Sequence, residues 1–171
     1  MTEGKIMIER LIEGNRRYVK NADAALRHRL ATEGQRPYAV VITCADSRVI
    51  PEAIFDATLG DLFVIRAAGN VPDDQMLGSA QYAVEHLGCP LVVVLGHTGC
   101  GAVGTALEGH AHGYICAITD GILKAIGTEK DPDKACRLNA LSGVERIRGA
   151  LPGADVRGAI YDIKSGAVEW L

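Results

Sequence analysis

Three positions in this chain carry sulfur or imidazole in a pattern suited to a metal ion: Cys44, and His97 and Cys100 with two residues between them. Thiolate and imidazole are donors that Zn²⁺ takes in a tetrahedron. A set of three leaves one position for water or substrate, the mark of a catalytic rather than a structural site. Asp46 and Arg48 follow the first cysteine in VVITCADSRVIPE (40–52). Alone, such a pair reads as a surface ion pair worth little. Next to a metal ligand it reads as water activation. Two thiolates cancel the charge of Zn²⁺, so bound water is acidified less than in a three-histidine site. A carboxylate that accepts a hydrogen from that water, held ionised and aligned by a planar guanidinium, supplies the missing help.

Other cysteines and histidines have plainer readings. His86 and Cys89 repeat the His-x-x-Cys spacing, but they straddle a helix end, where the dipole accounts for the histidine and burial for the cysteine. Cys116 and Cys136 lie in helical patterns with apolar neighbours and read as core. His28, His110 and His112 read as solvated, with a proton-relay role open to them. A phosphatase-like cysteine nucleophile is disfavoured, since such loops set the arginine further away than the three residues between Cys44 and Arg48 allow.

The elements that must position these groups follow from the apolar patterning. Residues 5–20 predict a helix with Ile8, Leu11, Ile12, Tyr18 and Val19 near one face, and a polar stretch then runs to about Arg36. From Pro37, short apolar runs alternate with helical segments. YAVVIT (38–43), DLFVIRAAG (61–69) and PLVVVLG (90–96) predict strands. PEAIFDAT (51–58) predicts a short helix with proline in its first turn, and QMLGSAQYAVEHLG (75–88) a longer one ended by Gly88. Helical patterns fill much of 101–150, and VRGAIYDIKSGAVEWL predicts a strand pair turning at Lys164–Ser165–Gly166. The fold class is therefore α/β, a central mostly parallel sheet flanked by helices, with a C-terminal strand pair and an N-terminal helical arm. Such sheets bind ligands beyond the carboxyl ends of their strands, where strand order reverses. Cys44 and the His97–Cys100 pair both sit at strand ends.

Composition narrows the class further. The 171 residues suit one domain, a helical arm over 1–36 and a core over 37–171; 48% are hydrophobic and 23% charged, as in globular proteins. The net charge of −3 offers no basic stripe, so neither nucleic acid nor a membrane surface is an expected partner. The start, MTEGKIMIERLIEG, has charges among its apolar residues and reads as neither signal peptide nor membrane span. Five scattered cysteines argue against a disulfide framework and for a reducing compartment, the cytoplasm.

CADSR (44–48), the VIPEAIFD that follows it, GDLFVIRAAGN (60–70), GSAQYAVEHLG (78–88), HTGCGAV (97–103), GAIYDIKSGAVEWL (158–171) and the N-terminal LIEGNRRYV occur in one order along nearly the whole chain. On these segments the chain resembles the β-class carbonic anhydrases. The resemblance implies one zinc ion per chain on Cys44, His97 and Cys100, with Asp46 and Arg48 as a catalytic dyad. The reaction it implies is the reversible hydration of carbon dioxide to bicarbonate and a proton by zinc-bound hydroxide. In some members the aspartate moves onto the zinc as a fourth ligand at lower pH, so Asp46 has two places open to it. The resemblance also implies a homodimer or homotetramer acting on a small molecule, with the helix at 5–20 as the arm that crosses onto a neighbour. Val41 stands where the bicarbonate-regulated subset has tryptophan, which argues against that regulation. Two alternatives share the site: a hydrolase of carbonyl sulfide or carbon disulfide, and a non-catalytic zinc-stabilised homologue. The retained Asp46 and Arg48 count against the second.

Overall fold

A computed structural model describes residues 3–171 of the chain. Two compact units are present, one ending at Gln35 and the other spanning Arg36–Leu171. The first holds helices α1 (Glu3–Asn21) and α2 (Ala24–Glu33). α1 contains the helix expected over 5–20, and the face marked by Ile8, Leu11, Ile12, Tyr18 and Val19 is exposed, Leu11 by 70%. α2 replaces the expected polar stretch. It buries no residue, so there was no apolar periodicity to read. Local chemistry makes it instead: Asp23 accepts a hydrogen bond from the Leu26 N–H at 3.0 Å as an N-cap, and Gly34 ends the helix with φ of 81°.

The second unit is built on strands β1 (Ala39–Cys44), β2 (Leu62–Ala67), β3 (Leu91–His97), β4 (Asp155–Tyr161) and β5 (Val168–Trp170). Their order in the sheet is β2-β1-β3-β4-β5, with all pairs parallel except the last, β4 with β5, which is antiparallel. This is the α/β sheet with a C-terminal strand pair that the patterning predicts. β1 leads to β2 on one side, while β3 lies on its other side, so strand order reverses at β1 and the carboxyl ends of β1 and β3 flank the crevice where ligands bind in such sheets.

Alternate residues of each strand reach opposite faces. Val40, Ile42, Val92 and Val94 bury one face against Met76, Ala80 and Ala83 of α4 (Asp74–His86) and Val144 and Ile147 of α7 (Pro132–Ala150). Val41, Val93, Leu95 and Ala159 bury the other with Val49, closed by Ile54, Phe55 and Tyr161. Each fully buried valine, leucine or isoleucine contributes roughly 1.5–3 kcal/mol relative to exposure, which makes this sheet a firm platform for its loops. α7 lies close on β3: a Cβ at Gly143 would be 3.0 Å from Val94 Cγ1, and one at Gly96 3.2 Å from Ala140 Cβ. The second of these contacts falls one residue before His97. The predicted helix at 51–58 is shorter than expected, α3 (Pro51–Ile54), because Asp56 turns to a positive φ of 49°. Among the described residues no helix is long and apolar enough to cross a membrane.

Candidate metal centre

β1 delivers Cys44 as its last residue and β3 delivers His97 as its last, with Thr98 and Gly99 leading to Cys100 at the start of α5 (Gly101–Glu108). Gly99 takes φ of 62°, the left-handed turn that carries the chain from strand to helix within three residues. As a result one donor atom from each of Cys44, His97 and Cys100 lies within 4.8 Å of the others, and all three side chains are buried, His97 to 1% exposure.

The chemistry of this trio fits a metal cation. His97 Nδ1 is 3.0 Å from the Thr98 carbonyl oxygen. A carbonyl only accepts, so Nδ1 carries the hydrogen, and in the neutral ring Nε2 then presents a lone pair. Nε2 is buried without a hydrogen-bond partner, a costly state for a polar atom unless it binds an ion. The Cys44 thiol is pulled down, first by the hydrogen bond from Cys100 and against burial, while Cys100 is pushed up by the same pairing and by burial. Burial opposes charge on His97, yet its contact with Cys44, the Thr98 carbonyl and the nearby negative groups raise it overall. Sulfur, sulfur and imidazole nitrogen at one buried point match the donors Zn²⁺ prefers.

Asp46 and Arg48 form the polar half of the site. Asp46 Oδ1 accepts from the Arg48 backbone N–H and Nε, both at 2.9 Å, and Oδ2 accepts from Nη2 at 2.7 Å. This fork-on-carboxylate geometry is the strong, orienting kind. It holds the Asp46 carboxyl well below the usual carboxylate range, chiefly through Arg48. Arg48 Nη2 also donates to the Gly99 carbonyl at 3.2 Å, so one guanidinium ties the dyad to the loop that carries Cys100. Asp46 is turned onto Arg48 and stands outside the trio.

Of the residues singled out in the sequence, five meet here. His86 instead stacks on Tyr82 at 5.3 Å, and Cys89 is buried with its thiol donating to the Leu91 carbonyl at 3.7 Å. Cys136 is core, packed in the same cluster as Cys44 and Cys100, whereas Cys116 is only half-buried. Two contributors escaped the sequence reading. Arg66 donates from Nε to the Cys44 carbonyl at 3.1 Å and from Nη2 to the Asp46 carbonyl at 2.8 Å, fixing the backbone on both sides of Ala45. Gly69 donates its N–H to Cys44 Sγ at 3.3 Å. Both lie in the GDLFVIRAAGN segment, and the register that sets Cys44 beside Ala67 is what brings them in.

Residues 39–168 match the family model described as carbonic anhydrase. The chain belongs to the β-carbonic anhydrase family. A carbonic anhydrase 2 of Mycobacterium tuberculosis is 49% identical over 118 residues, which cover 66% of this chain and 53% of that protein. The chain thus spans about half the length of that curated relative. A carbonic anhydrase of Pseudomonas aeruginosa is 42% identical over 94% of this chain and 86% of its own length. Among solved structures, the β-carbonic anhydrase CafA of the fungal pathogen Aspergillus fumigatus superposes with a TM-score of 0.80 at 26% identity, over 96% of this chain and 90% of that one.

Proposed function

We propose that this chain is a zinc-dependent carbonic anhydrase, catalysing the reversible reaction of carbon dioxide with water to give bicarbonate and a proton. The observation that carries the reading is the placement of Asp46: both carboxylate oxygens are held by Arg48, two residues from Cys44 and beside a buried Cys-His-Cys trio. Cys44, His97 and Cys100 would hold the metal, with the fourth position left for water. Zn²⁺ supplies Lewis acidity there, bringing the deprotonation of water toward neutral pH.

The protein's own groups do the rest. Asp46 is ionised throughout the neutral range, so its oxygens only accept; a hydrogen of the reacting water points to a carboxylate oxygen, and a lone pair is left to face carbon dioxide. Arg48 keeps the carboxylate charged and fixes its plane. The Gly69 N–H and the Thr98 carbonyl hold the Cys44 sulfur and the His97 ring in orientation, the kind of support that tunes a metal site from outside its ligands. The proton of each turnover leaves to buffer. All five cysteines are free, which suits a reducing, cytoplasmic setting. The exposed apolar face of α1 suits cover by a second copy, in a homodimer or homotetramer, and light scattering in solution reads that state directly.

One zinc-loaded preparation assayed by stopped flow for carbon dioxide hydration, and in parallel for hydrolysis of carbonyl sulfide and carbon disulfide, tests the activity. Carbon dioxide should be the preferred substrate. Faster turnover of the sulfur compounds would move the assignment to a hydrolase, and stoichiometric zinc without turnover of any of them would leave a non-catalytic homologue.

A further inference from the structure

Asn139 lies on the inner side of α7, 4% exposed, and its Nδ2 donates to the Gly69 carbonyl at 2.7 Å. The bond joins residues 70 apart in sequence. Gly69 sits in a short 3-10 turn over Ala68–Asn70 with φ of 72°, a conformation that disfavours any side chain. Space forbids one too, since a Cβ there would lie 2.9 Å from Ile122 Cδ1 of α6 (Ile115–Ile126) and 3.2 Å from Ala102 Cβ. The Asn139 amide therefore grips the carbonyl side of a residue whose N–H side points at Cys44 Sγ. Fixing the peptide after Gly69 fixes the turn, and the turn aims the N–H.

We infer that Asn139 is a positioning residue for the metal site: acting through Gly69, it sets the hydrogen bond that the Cys44 sulfur receives, and with it the donor strength of that sulfur toward the metal. An N–H on a thiolate draws electron density away from the sulfur and leaves the metal more positive. Without Asn139 the Gly69 turn is released, the bond to Cys44 lengthens, and the sulfur becomes a stronger, less restrained donor. A buried asparagine that merely cross-linked α7 to the turn would stabilise the fold and leave the metal's electronic state unchanged. This inference rests on the zinc reading above.

The test uses the whole chain with cobalt(II) as optical probe and zinc for release kinetics. Asn139→Leu keeps the number and branching of the heavy atoms and removes the bond, and Asn139→Ala serves if that variant does not fold. The sulfur-to-cobalt charge-transfer band should shift to lower energy. Because the more basic and unsupported sulfur is more readily protonated off the metal, zinc should pass to a chelator about 10- to 100-fold faster, the usual range for losing an outer hydrogen-bond partner of a ligand. Should neither variant fold, nitrogen-15 spectra of the cadmium-113-loaded wild-type protein should show coupling of the Gly69 amide to the metal across its hydrogen bond, and absence of that coupling would overturn the inference. A folded variant with wild-type band energy and release rate would overturn it as well. A wild-type protein that takes up neither metal would bring down the zinc reading itself, and this inference with it.

Discussion

The ends of β1 and β3 reach one point by different means. β3 ends dry: His97 and Cys100 are buried, a glycine turn passes directly into α5, and α7 is pressed against Gly96. β1 ends wet: Cys44 is buried, but the next residues turn outward, and Arg48 is half-exposed while it holds Asp46. The β3 end is fixed chiefly by packing, with the Thr98 N–H donating to the Tyr161 carbonyl at 3.0 Å. The β1 end is fixed by hydrogen bonds, from Arg66 to two carbonyls and from Arg48 to Asp46 and Gly99. Rigid burial suits ligands, which must keep their distances. A charged, polar-tied loop suits a group that handles water and must meet solvent.

The largest effect should come where the two ends are equal. Cys44→Ser and Cys100→Ser should each lose most bound zinc by elemental analysis, a loss beyond the roughly 10- to 100-fold that follows removal of an outer partner. Full zinc retention in either would remove that cysteine from the ligand set. The ends should part company at Asp46→Asn. An amide nitrogen offers hydrogens where the water needs an acceptor, so zinc should stay while stopped-flow hydration falls about 100-fold or more, the scale of losing one preorganised polar contact. Unchanged rates would take Asp46 out of the mechanism.

A smaller effect separates packing from polar ties. Gly96→Ala pushes a methyl to 2.8 Å from Ile160 Cδ1, where the strand is clamped by α7, and should cost about 1–3 kcal/mol in denaturant unfolding. No loss of stability would mean the β3 end is looser than its geometry.

The smallest effect belongs to a second fork-on-carboxylate pair, Arg137 to Glu169 at 2.6 and 3.0 Å, which is exposed. Arg137 keeps the Glu169 carboxyl below its ordinary range, so any stability the pair gives is present above the unfolded carboxylate value of about 4.3 and lost as pH falls through the lower folded value. Glu169→Gln should melt within a degree or two of wild type at pH 7, converge with it in acid, and hydrate carbon dioxide normally. A large loss of activity there would erase the contrast with Asp46.

Much of this was legible in the residues. β1 and β3 were readable because both faces of each are buried, which writes a continuous run of valine, isoleucine and leucine. The Cys44, His97 and Cys100 trio was readable because sulfur and imidazole at strand ends have few other uses. α2 was hidden because it buries nothing, and its N-cap aspartate is a weak signal alone. Arg66, Gly69 and Asn139 were hidden for a different reason: they act on the site through backbone atoms, and a carbonyl or an N–H has no letter in the sequence. Only the parallel register of β1 with β2, and the seating of α7 on β3, bring them within reach.

The ends of β1 and β3 should converge on a single zinc ion through Cys44, His97 and Cys100. X-ray absorption at the zinc edge of the loaded wild-type protein tests it most directly. One zinc per chain is expected, with two sulfur ligands at about 2.3 Å and the remaining shell of nitrogen or oxygen. A zinc bound by nitrogen and oxygen alone, or by three or more sulfurs, would contradict it.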